Sequence, residues 1–378
     1  MNVFLIAGAR PNFMKIAPIF RASLLHPELR CRIIHTGQHY DHAMSQSFFD
    51  DLGIPKPDFF LDAGSGTHAV QTAKIMVAFE DICLKERPDL VMVVGDVNST
   101  LACSIVAKKL QLKVAHVEAG LRSFDLDMPE EINRMVTDAI SDFFFVTEES
   151  GVANLLREGK ASDSIHLVGH VMIDNLLHQA QRLEEEDVCD LSTFSLKGER
   201  GAYCFMTLHR PSNVDCRETF EQIAVALNEI AQEKTIFFPV HPRTRKMMEE
   251  FGIRLDAGIV QLPPLGFRES LFLWKDAAAV LTDSGGLQEE TTALGVPCVT
   301  IRENTERPIT VEMGTNVLAG TGAEAILGAY RQSLAKRSKA KVPELWDGNA
   351  SERIWQVLVG CGHHDQAFHG TRKNAERR

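Results

Sequence analysis

Short apolar runs alternate with longer amphipathic segments along the first 170 residues of the chain. The runs are continuously apolar, which is typical of strands in a parallel sheet that is covered on both faces. The predicted strands are 3–8, 31–36, 90–95, 113–117, 143–147 and 165–168. The predicted helices between them are 13–25, 42–52, 68–86, 99–110, 130–141 and 148–158. This order predicts right-handed crossovers that place helices on both sides of one sheet.

The pattern breaks near residue 179, where a run of charged residues at 184–187 is typical of a solvated helix end, and a second series begins near residue 202. Its predicted strands are 202–208, 235–240, 258–262, 278–282 and 296–301. Its predicted helices are 217–232, 243–251, 268–276, 286–294 and 323–336. The chain is therefore predicted to be an α/β protein of two doubly wound, Rossmann-like domains.

We place the first domain at residues 1–175 and the second at 200–348. A helix at about 350–360 could pack back on the first domain. Residues 363–378 are polar, rich in His and Arg, and aperiodic, which is typical of a disordered tail. In doubly wound sheets, ligands bind at the carboxyl ends of the strands, where the strand order reverses. Candidate chemistry is therefore sought at the strand ends.

Composition places the chain among globular proteins, since 44% of its 378 residues are hydrophobic and 24% are charged. A net charge of −11 argues against general nucleic-acid or anionic-membrane binding, although its simplest role is solubility. No run approaches the ~20 apolar residues of a membrane span, and the first residues lack the features of a signal peptide. The eight cysteines are scattered without the spacing of metal ligands, which favours free thiols in a reducing cytoplasm.

Acidic residues follow two consecutive predicted strands of the first half. Asp96 and Glu118 lie directly after these strands, and Glu130 lies near the start of the next helix. We expect these acids to converge at one edge of the sheet, where they would raise one another's pKa and suit proton transfer. The alternatives are a metal site, or helix N-terminal acids that form salt bridges with Arg122 and Arg134.

Cationic side chains follow the first strand of each half. Gly8 permits a tight turn that leads to Arg10 and Lys15, and an arginine at this place could meet a diphosphate. The turn lacks the GxGxxG fingerprint of a dinucleotide site, and an ordinary turn with an exposed arginine is an equal alternative. His209 ends the first strand of the second half, where it is either an acid/base candidate or part of a capped turn.

The segment 282–290 is the most specific element of the second half. Gly285 and Gly286 let backbone N–H groups approach a ligand at the positive end of the following helix, and Ser284 adds a hydroxyl. Glu290 could accept hydrogen bonds from ribose hydroxyls, and Arg307 could close over the same phosphates. We favour a phosphate site over a purely structural loop.

Together these motifs resemble those of the non-hydrolysing UDP-N-acetylglucosamine 2-epimerases, which share the two-domain architecture of the GT-B glycosyltransferases. The resemblance extends from Gly8 to about residue 360. Its markers are Gly8-Ala9-Arg10-Pro11 with Lys15, Gly95-Asp96, His116-Val117-Glu118-Ala119-Gly120-Leu121-Arg122, Pro129-Glu130-Glu131 with Asn133-Arg134, His209-Arg210, Pro239-Val240-His241, Thr282-Asp283-Ser284-Gly285-Gly286 with Gln288-Glu289-Glu290, and Thr305-Glu306-Arg307-Pro308.

The resemblance implies the interconversion of UDP-GlcNAc and UDP-ManNAc in the cleft between the domains. The implied route is anti elimination of UDP to 2-acetamidoglucal, followed by re-protonation on the other face and re-addition of UDP. It requires no nicotinamide, other cofactor or metal ion. The resemblance also implies a cytoplasmic homodimer whose partner molecule is a UDP-sugar, without nucleic acid or membrane.

The resemblance further implies roles for particular residues. The acid/base candidates are Asp96, Glu118, Glu130 and His209. The substrate-binding candidates are Arg10, Lys15, Arg134, Ser284, Gly285, Gly286, Glu290 and Arg307, with His209 also placed near UDP. Which acid takes the carbon-2 proton stays open at this stage.

Two departures from the family pattern concern regulation. Many bacterial members have Gln-His-Arg and His-Arg-Arg-Glu motifs that are linked to an allosteric second UDP-GlcNAc, and here these positions read Gln38-His39-Tyr40 and His209-Arg210-Pro211-Ser212. Activation of that type is therefore not expected. The rival functions are a 2-epimerase of a modified UDP-sugar such as a 2,3-diacetamido uronic acid, a hydrolysing 2-epimerase, a GT-B glycosyltransferase, and a non-catalytic nucleotide-sugar sensor.

Overall fold

The structure is a computed structural model that describes residues 1–37, 46–197, 199 and 201–360, without the side chains of residues 46 and 47. The predicted tail at 363–378, the motif at 38–40 and the first residues of the predicted helix 42–52 lie outside the described residues. Contacts divide the chain into two compact units. Unit 1 comprises Met1–Asn175 and the residues from Leu345 onward, and unit 2 comprises Leu176–Glu344.

Unit 1 contains a seven-stranded sheet whose described pairs are all parallel. Its strands are β1 Asn2–Ala7, β2 Arg30–His35, β3 Phe59–Phe60, β4 Leu90–Val94, β5 Lys113–Val117, β6 Phe143–Val146 and β7 Ile165–Leu167. Its helices are α1 Arg10–Ser23, α2 Gln46–Leu52, α3 His68–Glu86, α4 Asn98–Lys109, α5 Pro129–Ile140, α6 Glu149–Arg157, the start of α7 Val171–Glu185, and a helix over 350–360. The strand order β3-β2-β1-β4-β5-β6-β7 reverses between β1 and β4.

Unit 2 repeats this architecture with six parallel strands. Its strands are β8 Tyr203–Thr207, β9 Thr235–Pro239, β10 Ile259–Leu262, β11 Val280–Thr282, β12 Cys298–Thr300 and β13 Asn316–Leu318. Its helices are the end of α7, α8 Pro211–Val214, α9 Arg217–Glu233, α10 Pro242–Phe251, α11 Phe267–Trp274, α12 Gly285–Ala293, α13 Pro308–Glu312 and α14 Ala323–Lys336. Here the strand order β10-β9-β8-β11-β12-β13 reverses between β8 and β11. Two parallel α/β units confirm the predicted fold class.

The predicted apolar runs form the centres of both sheets. All five residues of β4 are buried, as are four of the five residues of β8. Helices pack on these strands through their apolar faces, which leaves the polar residues at the strand ends free to meet one another. The core therefore acts as a rigid frame for the turns that follow the strands.

The helix over 350–360 packs in unit 1 although it is distant in sequence. The carboxylate of Asp174 accepts hydrogen bonds from the backbone N–H groups of Ala350 and Ser351, at 3.1 and 2.7 Å. Trp355 is fully buried and donates its indole N–H to the carbonyl of Ile19 at 2.8 Å. These contacts join the C-terminal helix to α1 and α7.

Several elements differ from the sequence prediction. The short strands β3 and β13 and most of α7 were not predicted, whereas α1 begins at Arg10 and not at residue 13. Pro11 lies in the first turn of α1, where proline's missing N–H has no helical partner to lose. This earlier start places Arg10 directly at the helix N-terminus.

Among the described residues, no helix has the length and apolar character needed to cross a membrane. The seven described cysteines are free, and four of them are buried.

Candidate functional site

The turn between β1 and α1 is held by the side chain of Asn12. Its carbonyl oxygen accepts hydrogen bonds from the backbone N–H groups of Gly8 and Ala9, at 3.2 and 2.9 Å. Its amide donates to the carbonyl of Val94 at 3.3 Å. Asn12 therefore joins the ends of β1 and β4, between which the strand order reverses.

Lys15 and Glu118 meet at this same edge of the sheet. The ammonium group of Lys15 lies 2.5 Å from Glu118 Oε2, and only 6% of the Glu118 side chain is exposed. The backbone of Glu118 is left-handed with φ 68°, which is a costly conformation for a residue other than glycine. Gly95 is also left-handed, and a Cβ there would lie 2.9 Å from Lys15 Nζ. The ion pair thus occupies space that only glycine leaves open.

Asp96 forms a second ion pair next to the first. Arg134 Nη1 lies 2.5 Å from Asp96 Oδ2, and its Nη2 lies 2.7 Å from Glu131 Oε2. Glu131 is buried and also accepts the backbone N–H groups of Ser123 and Phe124. Burial alone would raise the pKa of Glu131, but these amides and the Arg134 guanidinium lower it below its usual value. Glu131 is therefore an anion that orients Arg134 toward Asp96.

Two further predicted residues of unit 1 are more exposed. Glu130 lies in the first turn of α5 with its side chain in solvent, next to the buried Glu131. Arg10 is exposed at the start of α1, where its guanidinium lies 4.9 Å from the ring centroid of Phe48.

A fully buried histidine lies behind the acids. His116 Nδ1 lies 2.6 Å from Asp138 Oδ1, and its Nε2 lies 2.9 Å from the carbonyl oxygen of Gly95. The other oxygen of Asp138 accepts the N–H of Gly120 at 3.0 Å and pairs with Arg122 at 2.8 Å. Burial alone would lower the pKa of His116, but the Asp138 carboxylate raises it above its usual value.

In unit 2, Asp283 organises the turn after β8. Its Oδ2 accepts the backbone N–H groups of His209 and Arg210, at 2.9 and 2.8 Å, and its Oδ1 lies 2.9 Å from His209 Nδ1. Asp283 is fully buried, which would raise its pKa, but His209 and the two amides lower it below its usual value. The imidazole of His209 is 47% exposed. Since Asp283 engages Nδ1, the nitrogen Nε2 is available for a ligand.

The turn after β11 leaves open space around two consecutive glycines. Ser284 is the N-cap of α12, and the next two residues are Gly285 and Gly286. Neither glycine has a positive φ, and a Cβ on either would meet no protein atom within 4 Å. Neither backbone conformation nor protein packing therefore requires glycine here. The two glycines leave free access to backbone N–H groups at a helix N-terminus, which is an arrangement that binds anions.

The loop after β12 is connected to α12 through buried polar groups. Arg307 Nε lies 2.7 Å from Glu289 Oε1, and the backbone N–H of Arg307 donates to Thr305 Oγ1 at 3.0 Å. Thr305 Oγ1 in turn donates to Gln288 Oε1 at 2.5 Å. Glu290 is buried in the second turn of α12. This network holds Arg307 beside the helix that carries the two glycines.

A cavity of about 310 Å³ lies within unit 2 at the same strand ends. Its polar wall includes His209, His241 and Ser284, and its apolar wall includes Pro264 and Leu287. This volume is at the lower end of the range for small-molecule sites. A groove of about 550 Å³ on unit 1 is lined by Ala73, Val77, Asp81 and their neighbours, and contains none of the predicted site residues.

The structure thus brings the predicted residues together as two sets. Unit 1 joins Lys15 with Glu118 and Asp96 with Arg134, and unit 2 places His209 and Ser284 around one cavity. Within the described ranges, no group of three or more His, Cys, Asp or Glu side chains has the arrangement of a metal site.

The sequence analysis gave no role to four residues that organise these sets, which are His116, Glu131, Asp138 and Asp283. All four side chains are buried, and the sequence pattern does not show which polar residues near a strand end or in a helix turn inward to hold a neighbouring turn.

Comparison with known proteins identifies the family. Residues 23–359 match the family model described as UDP-N-acetylglucosamine 2-epimerase. A UDP-N-acetylglucosamine 2-epimerase from Methanocaldococcus jannaschii is 43% identical over 365 residues, which cover 95% of this chain and 99% of the relative. A UDP-2,3-diacetamido-2,3-dideoxy-D-glucuronate 2-epimerase from Pseudomonas aeruginosa is 41% identical over 363 residues, which cover 95% of this chain and 99% of the relative.

Solved structures agree with this relationship. The crystal structure of the Methanocaldococcus jannaschii UDP-GlcNAc 2-epimerase in complex with UDP-GlcNAc and UDP superposes with a TM-score of 0.82 and 42% identity. The superposition covers 95% of this chain and 99% of that chain. The chain is therefore an isomerase that belongs to the UDP-N-acetylglucosamine 2-epimerase family.

Proposed function

We propose that this enzyme interconverts UDP-N-acetylglucosamine and UDP-N-acetylmannosamine without releasing the free sugar. The observation that carries the proposal is the pair of carboxylates at the carboxyl ends of β4 and β5. Asp96 and Glu118 each lie within 2.5 Å of a cationic side chain, beside the point where the strand order reverses. That is where doubly wound sheets bind their ligands.

The chemistry explains why acids and a diphosphate cradle are both needed. Carbon 2 of the sugar is not adjacent to a carbonyl group, so its proton leaves only if the electron pair has somewhere to go. A carboxylate takes the proton, the C2–H electrons form a C1=C2 double bond, and the C1–O bond breaks with its electrons on UDP. Proton delivery to the opposite face of C2 and return of the phosphate oxygen to C1 complete the inversion.

Unit 1 supplies the proton transfers in this proposal. Asp96, Glu118 and Glu130 are the acid/base groups, and Lys15 and Arg134 orient two of them until substrate binds. The exposed guanidinium of Arg10, at the start of α1, contributes to substrate binding.

Unit 2 binds the leaving group. Backbone N–H groups at Gly285 and Gly286 and the hydroxyl of Ser284 contact the diphosphate, and Arg307 neutralises its charge. Glu290 accepts hydrogen bonds from the ribose. His209 presents Nε2 to the phosphate that leaves carbon 1, because Asp283 holds its other nitrogen. In this proposal the substrate stays bound as glucal and UDP between the two half-reactions.

A second substrate has specific support. The Pseudomonas aeruginosa relative, 41% identical over nearly its whole length, is named for a 2,3-diacetamido uronate. The same elimination at carbon 2 serves either sugar, so the carboxylates and the diphosphate cradle do not distinguish them. The ratio of kcat/KM for the two UDP-sugars decides between them.

The test is product analysis of purified enzyme with each UDP-sugar by NMR and ion-exchange chromatography. The proposal predicts an equilibrium mixture of UDP-GlcNAc and UDP-ManNAc from either starting sugar. Accumulation of free ManNAc with UDP would show a hydrolysing enzyme. Turnover of the 2,3-diacetamido uronate alone would replace the proposed substrate by the modified sugar.

A further inference from the structure

Both turns that carry the catalytic candidates of unit 1 contain residues with a left-handed backbone. Gly95, Glu118 and Gly120 have φ values of 65°, 68° and 78°, all in the left-handed region. Glu118 bears a side chain there, which costs roughly 1 kcal/mol or more and persists only when surrounding contacts hold it. The packing around Gly120 is also tight, since a Cβ there would lie 2.4 Å from the carbonyl oxygen of Gly151.

One buried pair reaches both turns. His116 lies in β5 and donates from Nε2 to the carbonyl of Gly95, the residue directly before Asp96. Its partner Asp138 lies in α5 and accepts the N–H of Gly120, two residues after Glu118. The side chains of His116 and Asp138 are both completely buried.

The contacts of this pair determine its charge. The carbonyl of Gly95 can only accept, so Nε2 carries a proton, and the carboxylate of Asp138 likewise calls for a proton on Nδ1. His116 is therefore an imidazolium. Arg122 shares the Asp138 carboxylate, and Glu118 is the further acid whose charge acts on the imidazole.

Stability alone does not explain such a pair. A buried ion pair commonly contributes little to stability compared with an apolar pair of the same volume, because both charges lose their hydration. Here each partner also forms a hydrogen bond with the backbone of a turn next to a catalytic candidate.

We propose that His116 and Asp138 form a positioning pair, in which His116 fixes Asp96 through the carbonyl of Gly95 and Asp138 fixes the Glu118 turn through the N–H of Gly120. This inference rests on the proposed function, because the two acids must be held at a set separation to act on one carbon atom. A shift of ~1 Å between them costs ~100-fold in rate.

Two variants separate the hydrogen bonds. In His116→Gln the amide nitrogen reaches the place of Nε2 and still donates to Gly95, whereas in His116→Asn it reaches only the place of Nδ1. We expect kcat for epimerisation to fall by ~100-fold in His116→Asn and by no more than ~10-fold in His116→Gln. The dissociation constant of UDP should change less than about twofold in both, since its proposed contacts lie in unit 2. Equal kcat values for the two variants, or a parallel loss of UDP affinity, overturn the proposal.

A third variant tests the charge of Asp138. Asp138→Asn preserves shape but removes the negative charge, so the buried imidazole loses its proton at a lower pH. Its kcat should therefore fall as pH rises through neutrality, while that of the wild type stays level. A pH profile of kcat identical to that of the wild type contradicts the role of Asp138.

Histidine NMR distinguishes failure of this inference from failure of the proposed function. In ¹⁵N-histidine spectra, the signal lost in His116→Gln should be that of an imidazolium at pH 7.5, where exposed histidines are neutral. A neutral imidazole overturns the pair even if the enzyme is active. Absence of epimerisation in the wild type overturns the proposed function, but the charge of His116 can still be tested by this spectrum.

Discussion

At the scale of single residues, the candidate chemistry depends on salt bridges that orient the acids. Lys15 holds Glu118, and Arg134 holds Asp96 with the support of the buried Glu131. A carboxylate held in this way is oriented, but a bound substrate must displace or share its cation. The pairs therefore represent the resting arrangement of the proposed bases.

Replacing an acid by its amide tests this assignment. We expect Asp96→Asn and Glu118→Gln to lower kcat by ~100-fold or more, because an amide cannot accept the carbon-2 proton. The dissociation constant of UDP, measured by calorimetry, should stay within about twofold of the wild type.

The matched control is Glu148→Gln, which changes another acid at a strand end of unit 1, directly before α6. Its kcat should equal that of the wild type. A loss of UDP affinity in Asp96→Asn or Glu118→Gln that matches the loss of kcat would show that these acids are structural.

The sequence located the strand-end residues and offered Arg134 as a salt-bridge partner, but it did not identify the acids that Arg134 contacts. Asp96 and Glu118 follow apolar runs, so their place at the sheet edge follows from the pattern alone. The pattern alone does not show whether Glu130 or Glu131, or Glu289 or Glu290, faces the interior. Neighbouring positions on a helix differ by about 100° in direction, and either can face inward.

The lowered pKa of Asp283 predicts how the stability of the protein depends on pH. Its pKa in the folded protein is lowered, so its stabilising effect is complete at neutral pH and is lost as pH falls from about 4 through the folded pKa. The free energy of unfolding in urea should therefore decrease more between pH 7 and pH 3 in the wild type than in Asp283→Asn. Equal decreases in the two proteins would contradict the proposed charge of Asp283.

At the scale of elements, both units place their polar turns where the strand order reverses. In unit 1 these turns follow β1, β4 and the neighbouring β5, and in unit 2 they follow β8 and β11. The diverging crossovers leave a crevice at this point, which explains why the diphosphate candidates lie at the N-terminus of α12. The turn and helix that follow each strand thus determine which side chains and backbone groups line the crevice.

The glycines of α12 provide a test at this scale. Gly285→Ala and Gly286→Ala add a methyl group that meets no protein atom, so the melting temperature should be unchanged or higher. UDP affinity should nevertheless fall at least about tenfold, because the methyl group occupies the space through which a phosphate approaches the backbone.

Gly328→Ala is the control for these variants. Gly328 lies inside α14, where an added Cβ also meets nothing within 4 Å, so only stability should change. Unchanged UDP affinity in both α12 variants would show that the N-terminus of this helix does not bind the phosphates.

Most strands and helices could be predicted from the sequence, including the three-residue strands β7, β11 and β12, whereas β3, β13 and most of α7 could not. The central strands and most helices lie close to their predicted positions because hydrophobic periodicity accumulates over many residues. β3 and β13 contain two and three residues, and such short apolar runs do not by themselves distinguish a strand from a loop. α7 ends in the charged run near residue 185, which obscured its apolar face.

At the scale of the whole molecule, the two units divide the chemistry. Unit 1 contains the acids that act at carbon 2 in the proposal, and unit 2 contains the groups that bind the leaving diphosphate. The chain carries a net charge of −11, so an anionic substrate is attracted by local cations and helix N-termini rather than by the overall field. Because the proposal assigns the acids to carbon 2 and the diphosphate groups to the leaving UDP, it predicts that cleavage of the C–H and C–O bonds is coupled in one turnover.

The most direct test of this central claim is an incubation with UDP-GlcNAc in heavy water, followed by ¹H NMR of the sugar. The account predicts that UDP-ManNAc forms with deuterium at carbon 2, and that deuterium also enters carbon 2 of the remaining UDP-GlcNAc as the reaction reverses. UDP-ManNAc that retains the original proton at carbon 2 would contradict proton abstraction by a solvent-exchanging acid.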